Sequence, residues 1–310
     1  MTDLNTLSLD ELAATLFEAE PGRAIVRRLF ELARDEDIGR GDATATVALG
    51  ADETASAALV AREPTAVAGL VVVPTLMQVF ATGVVFEPVA RDGDHVEAGS
   101  VLAKLSGPAR SVVGVERTML NLLSRLCGVA NKSALYVDAL PAGVRAKVYD
   151  TRKTTPGLRL LEKYAVRCGG GCLHRLGLDD AVLIKDNHVS GLKPLELAER
   201  ARAASERARV LVGDRLRFVM VEVDRLDQLQ AVLDLGDGVV DIVLLDNMLP
   251  ETLAKAVSLR DAAGVSIELE ASGGVRLETI AAIAESGVDR ISVGALTHQA
   301  VSTDLGLDRS

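Results

Sequence analysis

Tryptophan is absent from the 310 residues, and aromatics make up only 3% of them. A core must therefore come from Val, Leu, Ile and Ala, and a single-stranded nucleic-acid binder that stacks bases on rings would lack its platform. Cysteine is scarce too: Cys127, Cys168 and Cys172 cannot staple a disulfide framework and fit a reducing compartment. A basic excess is missing, since 34 Lys and Arg face 44 Asp and Glu for a net charge of −10. That balance argues against nucleic acid or an anionic membrane surface as a partner. No apolar run approaches the ~20 residues that span a bilayer. The first stretch carries Asp3, Asp10, Glu11 and Glu18 with no basic segment, unlike a secretory signal. These absences leave a soluble, cytoplasmic chain with no nucleic acid and no membrane among its partners.

What is present reads as two domains. Leu9, Leu12 and Leu16, then Ile25, Val26, Leu29, Leu32 and Ala33, recur at helical spacing until Gly39, Gly41 and Asp42. From Thr54 to about Ser106 short alternating runs such as 57–61, 84–86 and 101–105 are punctuated by Gly93, Gly99 and Gly107, the texture of an antiparallel sheet. A helix-period stripe follows with Val112, Val115, Met119, Leu122, Leu123 and Leu126. The rest alternates strand and helix. Strands are predicted at 144–149, 181–184, 218–223, 242–245, 266–269 and 290–293, with helices at 226–235, 253–263 and 277–286. Apolar strands separated by helices imply a parallel sheet. Six units in about 170 residues point to an incomplete α/β barrel behind an N-terminal α/β sandwich domain. The boundary is set at 1–128 and 129–310. A doubly wound dinucleotide-binding sheet is weaker, because no Gly-x-Gly-x-x-Gly follows the first strand.

Each predicted strand ends in polar residues. Asp150, Thr151, Arg152 and Lys153 follow the first, Lys185 with Asp186, Asn187 and His188 the second, and Glu222 closes the third. Asp246 and Asn247 end the fourth, Glu270 and Ser272-Gly273-Gly274 the fifth, and Gly294 the sixth. Solvation of the rim would explain one such strand end, but five in succession favour a shared pocket at the barrel's C-terminal face. Residues 145–188 hold nine Lys and Arg against five Asp and Glu, a local +4 in a chain whose remainder is −14. A cationic basin in an acidic protein suggests a small anion. Arg152 and Arg175 offer forks for carboxylate or phosphate, and Lys153 and Lys185 offer point charges. Ser272–Gly274 before a helix predicted from Leu277 suits a phosphate. Glu222 and Asp246 could hold Mg²⁺, through water or a bound phosphate, or stabilise a developing positive charge.

The segment Asp150-Thr151-Arg152-Lys153-Thr154-Thr155-Pro156-Gly157 with Lys163-Tyr164-Ala165-Val166 resembles the quinolinate phosphoribosyltransferase family. So do Cys168-Gly169-Gly170-Gly171, His174-Arg175, Leu183-Ile184-Lys185-Asp186-Asn187-His188, Glu116-Arg117-Thr118 and Gly294-Ala295-Leu296-Thr297-His298. The resemblance runs from about residue 30 to the end. It implies transfer of phosphoribose from phosphoribosyl pyrophosphate to quinolinate with decarboxylation, in de novo NAD biosynthesis, with Mg²⁺. It also implies a homodimer with shared active sites, alone or within a higher oligomer. Arg117 would be lent by the neighbouring subunit, while Thr151, Arg152, His174 and Arg175 would bind quinolinate, with Lys153 and Lys185 beside it. Catalysis would fall to Lys153, Lys185, Glu222 and Asp246, the last two facing ribose and metal. Ser272, Gly273, Gly274, Ser292, Val293 and Gly294 would take the 5′-phosphate. Leu173, Cys127 and Gln299 depart from the family's usual Asn, Ser and Ser, and each neighbours a site residue. Two competitors are weaker. An aldolase would need Lys185 desolvated, yet Asp186 adjoins it, and zinc at Cys168, Cys172 and His174 lacks a fourth ligand.

Overall fold

The computed structural model describes residues 3–189 and 191–309. In chain order its main strands are β1 Thr54–Ala61, β2 Val85–Pro88, β3 Val101–Pro108, β4 Lys147–Tyr149, β5 Val182–Ile184, β6 Val219–Val223, β7 Ile242–Asp246, β8 Glu268–Ser272, β9 Arg290–Ser292 and β10 Leu305–Arg309. The helices used below are α1 Gly22–Asp37, α2 Ala109–Asp138, α3 Arg159–Cys168, α4 Pro194–Leu211, α5 Leu226–Leu233, α6 Pro250–Ala263 and α7 Ile280–Glu285. No helix among the described residues is long and apolar enough to cross a membrane.

The chain divides into two compact units that interleave along the sequence. One holds Leu7–Ala134, Thr154–Gly170 and residues 296–309. Its antiparallel sheet runs β10-β1-β3-β2. On β1, Ala55, Ala57 and Leu59 are buried while Thr54 and Ser56 are exposed, the alternation of a sheet wet on one face. Val26 and Phe30, four residues apart on α1, are buried while Arg23 and Arg27 face water. Two segments that follow residue 128 belong to this compact unit. Strand β10 pairs antiparallel with β1, Ala57 opposite Arg309 and Ala61 opposite Leu305. Helix α3 packs into the same unit, with Tyr164 edge-on to Phe17 at 5.2 Å between ring centroids. Gly169 lies so close to α2 that an added Cβ would stand 2.2 Å from the Ala130 carbonyl oxygen.

The other unit holds Leu135–Lys153 and Gly171–Ala295, together with residues 3–6. Its six strands are parallel, in the order β4-β9-β8-β7-β6-β5. Helices α4, α5, α6 and α7 form the crossovers between β5 and β9. Every residue of β6 is buried, and so are the first four of β7, as parallel strands covered on both faces require. Met220, Ile242 and Leu244 form one apolar cluster, against which Leu183 and Phe218 pack. They are alternate residues of neighbouring strands and mark the barrel interior. Glu222 and Asp246 continue the same alternation at the C-terminal strand ends. β4 and β5 remain the sheet's two edges, so the barrel is incomplete, as expected.

One buried ion pair ties the first unit together. Arg125 on α2 donates to Glu162 Oε1 through Nε at 3.0 Å and Nη2 at 2.8 Å, and also to the carbonyls of Thr297 and Ala300. Fully buried Glu162 also accepts from the Thr155 amide and hydroxyl. Removing the cation would strand a buried carboxylate, so Arg125→Ala is expected to cost about 3–5 kcal/mol. Urea unfolding checks this, and a loss below about 1 kcal/mol would contradict it.

Candidate active site

The expected site residues fall at the C-terminal ends of the parallel strands, all within the barrel unit except Arg117. Beyond β4, Asp150 is fully buried. Its amide bonds the Cys172 carbonyl at 2.9 Å, and its Oδ1 accepts the His174 amide at 2.7 Å. Asp150 thus fastens the 172–175 segment to the strand end that carries Arg152. Thr151 turns the chain locally, its hydroxyl accepting the Lys153 amide at 3.0 Å.

Arg152 and Arg175 form the cationic centre. Arg152 Nε is buried and has no hydrogen-bond partner, and no carboxylate pairs with this side chain among the described residues. Arg175 is only 8% exposed. Burial and then the Arg152 charge pull its guanidinium below the ordinary arginine value, with Asp180 offsetting. Arg175 is buried and Arg152 half-buried, so their like charges oppose each other in a partly desolvated place. His174 is 6% exposed, its Nδ1 accepts the Arg175 amide at 2.8 Å and its Nε2 faces Glu270 at 3.5 Å.

At the next strand ends, Lys185 Nζ pairs with Glu222 Oε2 at 2.9 Å. The Lys185 amide donates to His188 Nδ1 at 3.0 Å, so His188 braces the turn that carries the lysine. Asp246 lies opposite Ser272 in the β7–β8 register. Beside them stands Asn247, which the sequence placed at the strand end without a role. It has φ of 53°, its Nδ2 donates to Asp246 Oδ2 at 2.7 Å and its amide bonds the Ser272 carbonyl at 2.8 Å. A left-handed non-glycine residue next to a carboxylate is strain of the kind stored at functional sites. The Asp-Asn dipeptide at a strand end was the available signal.

The glycine turn also departs from expectation. Residues 277–279 form a turn and α7 begins only at Ile280, so no long helix stands behind Ser272–Gly274 to bind a phosphate. What remains is backbone: Gly273 at φ 92° and Gly274 at φ 59°. At β9, the Val293 amide is spent on the Tyr149 carbonyl at 2.9 Å and its side chain is 1% exposed. Val293 therefore has no donor to give a phosphate, which leaves Ser292 and Gly294. Arg117 lies in the other unit, exposed on α2 beside a cleft of about 270 Å³ lined by Leu29, Phe30, Ala33 and Leu122. No group of three or more His, Cys, Asp and Glu among the described residues could hold a metal alone. Glu222 and Asp246 supply oxygen ligands on adjacent strands, which suit a hard cation that keeps waters or substrate oxygens for its remaining positions.

An open parallel barrel that gathers cations, two carboxylates and a glycine turn at its C-terminal face defines an enzyme for a small polyanion. Family models for the N-terminal and C-terminal domains of quinolinate phosphoribosyl transferase match residues 42–127 and 129–308. A nicotinate-nucleotide pyrophosphorylase [carboxylating] of Mycobacterium leprae is 40% identical over 296 residues, covering 94% of this chain and 98% of that protein. A probable one from Bacillus subtilis is 38% identical, covering 88% and 89%. The solved nicotinate-nucleotide pyrophosphorylase of Francisella tularensis superposes with a TM-score of 0.82 at 34% identity, covering 100% of both chains. The chain belongs to the quinolinate phosphoribosyl transferase family.

An alanine Cβ at 273 would stand 2.2 Å from Asn247 Oδ1, whereas one at 274 meets nothing within 4 Å. Both glycines have positive φ, so both substitutions carry strain, but only Gly273→Ala also displaces Asn247. Gly273→Ala is expected to destabilise by about 1–3 kcal/mol and Gly274→Ala by less. Equal midpoints in denaturant would contradict the close approach.

Proposed function

We propose that this chain joins quinolinate to phosphoribosyl pyrophosphate and releases carbon dioxide, giving nicotinate mononucleotide and pyrophosphate for de novo NAD biosynthesis. The observation that carries the reading is the Arg152–Arg175 pair. Two guanidiniums at one strand-end cluster, one with an orphaned Nε, match a ring bearing two adjacent carboxylates. Lys153 and Lys185 add positive charge beside them. An incoming carboxylate competes with Glu222 for Lys185, so ligand entry frees the Glu222 oxygens to face the ribose.

The pyridine nitrogen attacks the ribose C1 as the C1–O bond to pyrophosphate breaks and its electron pair leaves with the pyrophosphate. Glu222 and Asp246 stabilise the positive charge that grows on C1. The ring nitrogen becomes a pyridinium. The bond from C2 to its carboxylate then breaks, carbon dioxide departs, the ring carbon keeps the pair and a proton from solvent completes it. Ser272, Gly273 and Gly274, with Ser292 and Gly294, take the 5′-phosphate. Mg²⁺ fits beside Glu222 and Asp246, where it would offset the charge of the leaving pyrophosphate.

Arg117, exposed and with no ion pair within 4 Å among the described residues, reaches into the site of a second copy in a homodimer. Leu29, Phe30, Ala33 and Leu122 beside it supply an apolar surface for that contact. Three free, buried cysteines are in keeping with the cytoplasm.

Carbon dioxide release from carboxyl-labelled quinolinate is expected only when phosphoribosyl pyrophosphate and Mg²⁺ are both present. Release without phosphoribosyl pyrophosphate, or none with both, would refute the reaction. Arg117→Ala and Lys185→Ala are each expected to be inactive and to regain activity when mixed, because one site in each mixed dimer keeps both residues. Subunit exchange without recovery would rule out a shared site.

A further inference from the structure

Behind the Arg152–Arg175 pair runs a row of charged side chains that the reaction does not use. Glu270 on β8 is fully buried. Its Oε2 accepts Arg290 Nε at 2.7 Å, while its Oε1 accepts no hydrogen bond and faces His174 Nε2 at 3.5 Å. Arg290 is fixed in turn: its guanidinium lies 3.7 Å above the Tyr149 ring and its Nη1 donates to Glu268 at 3.2 Å. The His174 ring sits edge-on to Phe218, 5.1 Å between centroids.

The two nitrogens of His174 are constrained in opposite senses. Nδ1 accepts the Arg175 amide at 2.8 Å, so it carries no proton. In the neutral ring the proton must then sit on Nε2, the atom that faces Glu270. A carboxylate there suits the site because Arg290 Nε–H bonds one of its oxygens while the other, with no hydrogen-bond partner of its own, faces the His174 Nε2–H dipole at 3.5 Å. A glutamine of the same shape would offer one carbonyl oxygen and one NH₂ group. Whichever donor met the NH₂ group would be opposed by another donor.

We propose that Glu270 is a positioning residue: it keeps the His174 proton on Nε2, which leaves Nδ1 to hold the Arg175 amide and so fixes the base of the dicarboxylate clamp. The identity of the ligand rests on the function proposed above, but the tautomer does not. His174 then serves the substrate by way of Arg175. Arg290 holds Glu270 in place and balances its charge inside the barrel.

The test is Glu270→Gln in the full-length protein, read in two ways. Nitrogen-15 spectra of the histidine rings, assigned with a His174→Asn control, report which nitrogen carries the proton without any substrate. Equilibrium titrations with quinolinate and, separately, with phosphoribosyl pyrophosphate and Mg²⁺ report the consequence. The wild type is expected to hold His174 as the Nε2–H form. Glu270→Gln is expected to mix the tautomers and to raise the quinolinate Kd about tenfold or more, with the phosphoribosyl pyrophosphate Kd little changed. A merely structural glutamate would weaken both ligands together, and that result overturns the proposal. So does a wild-type ring protonated on Nδ1, a finding that decides the matter even if the variant does not fold. If the wild type does not bind quinolinate while His174 shifts as expected, the ligand assignment fails and the positioning role stands.

Discussion

The binding face is organised around two arginines that repel each other. Arg152 and Arg175 are brought together by separate segments, one from the end of β4 and one from the chain that returns along it after Gly171. Burial and mutual repulsion both oppose this arrangement, and no carboxylate pairs with Arg152 among the described residues. The cost is carried by the backbone around them. Tyr149 bridges to Cys172, and Asp150 bonds both the Cys172 carbonyl and the His174 amide. A scaffold that holds like charges in place before the ligand arrives spends little reorganisation on binding it, which is the usual route to strong electrostatic recognition.

The carboxylates on the same face are handled by the opposite device, since each has a local partner. Lys185 holds Glu222, and Asn247 holds Asp246. These contacts keep two acidic groups on a rim whose neighbouring strand ends are cationic, where the proposed reaction would develop positive charge on the sugar. The strained φ of Asn247 and the close approach of Gly273 belong to the same device, because the turn after β8 can reach Asp246 only if residue 273 lacks a side chain.

Much of this was legible in the sequence for a simple reason. Parallel strands buried on both faces are short apolar runs, so 218–223 and 242–245 were predicted within a residue of Val219–Val223 and Ile242–Asp246. Polar residues at their ends then had to share one face. The strand Leu305–Arg309 was not predicted, since Gly306 and Asp308 dilute its pattern and its partner β1 lies some 250 residues earlier. Periodicity carries no information about which unit a helix joins, so the return of α3 to the other unit was also invisible. Asn247 and Glu270 were legible as polar residues at strand ends, but their roles were not, because those roles lie in three-dimensional geometry. One is set by a backbone dihedral, the other by two side chains that face it only in three dimensions.

In the proposed complex two guanidiniums read two carboxylates. Calorimetric titration with quinolinate and with nicotinate, on the wild type and on Arg152→Ala, tests it most directly. Quinolinate should bind the wild type more tightly than nicotinate by about tenfold or more, the worth of one charge-assisted contact, and in Arg152→Ala that preference should largely vanish. Equal affinities in the wild type, or an unchanged preference in a folded Arg152→Ala, would contradict it.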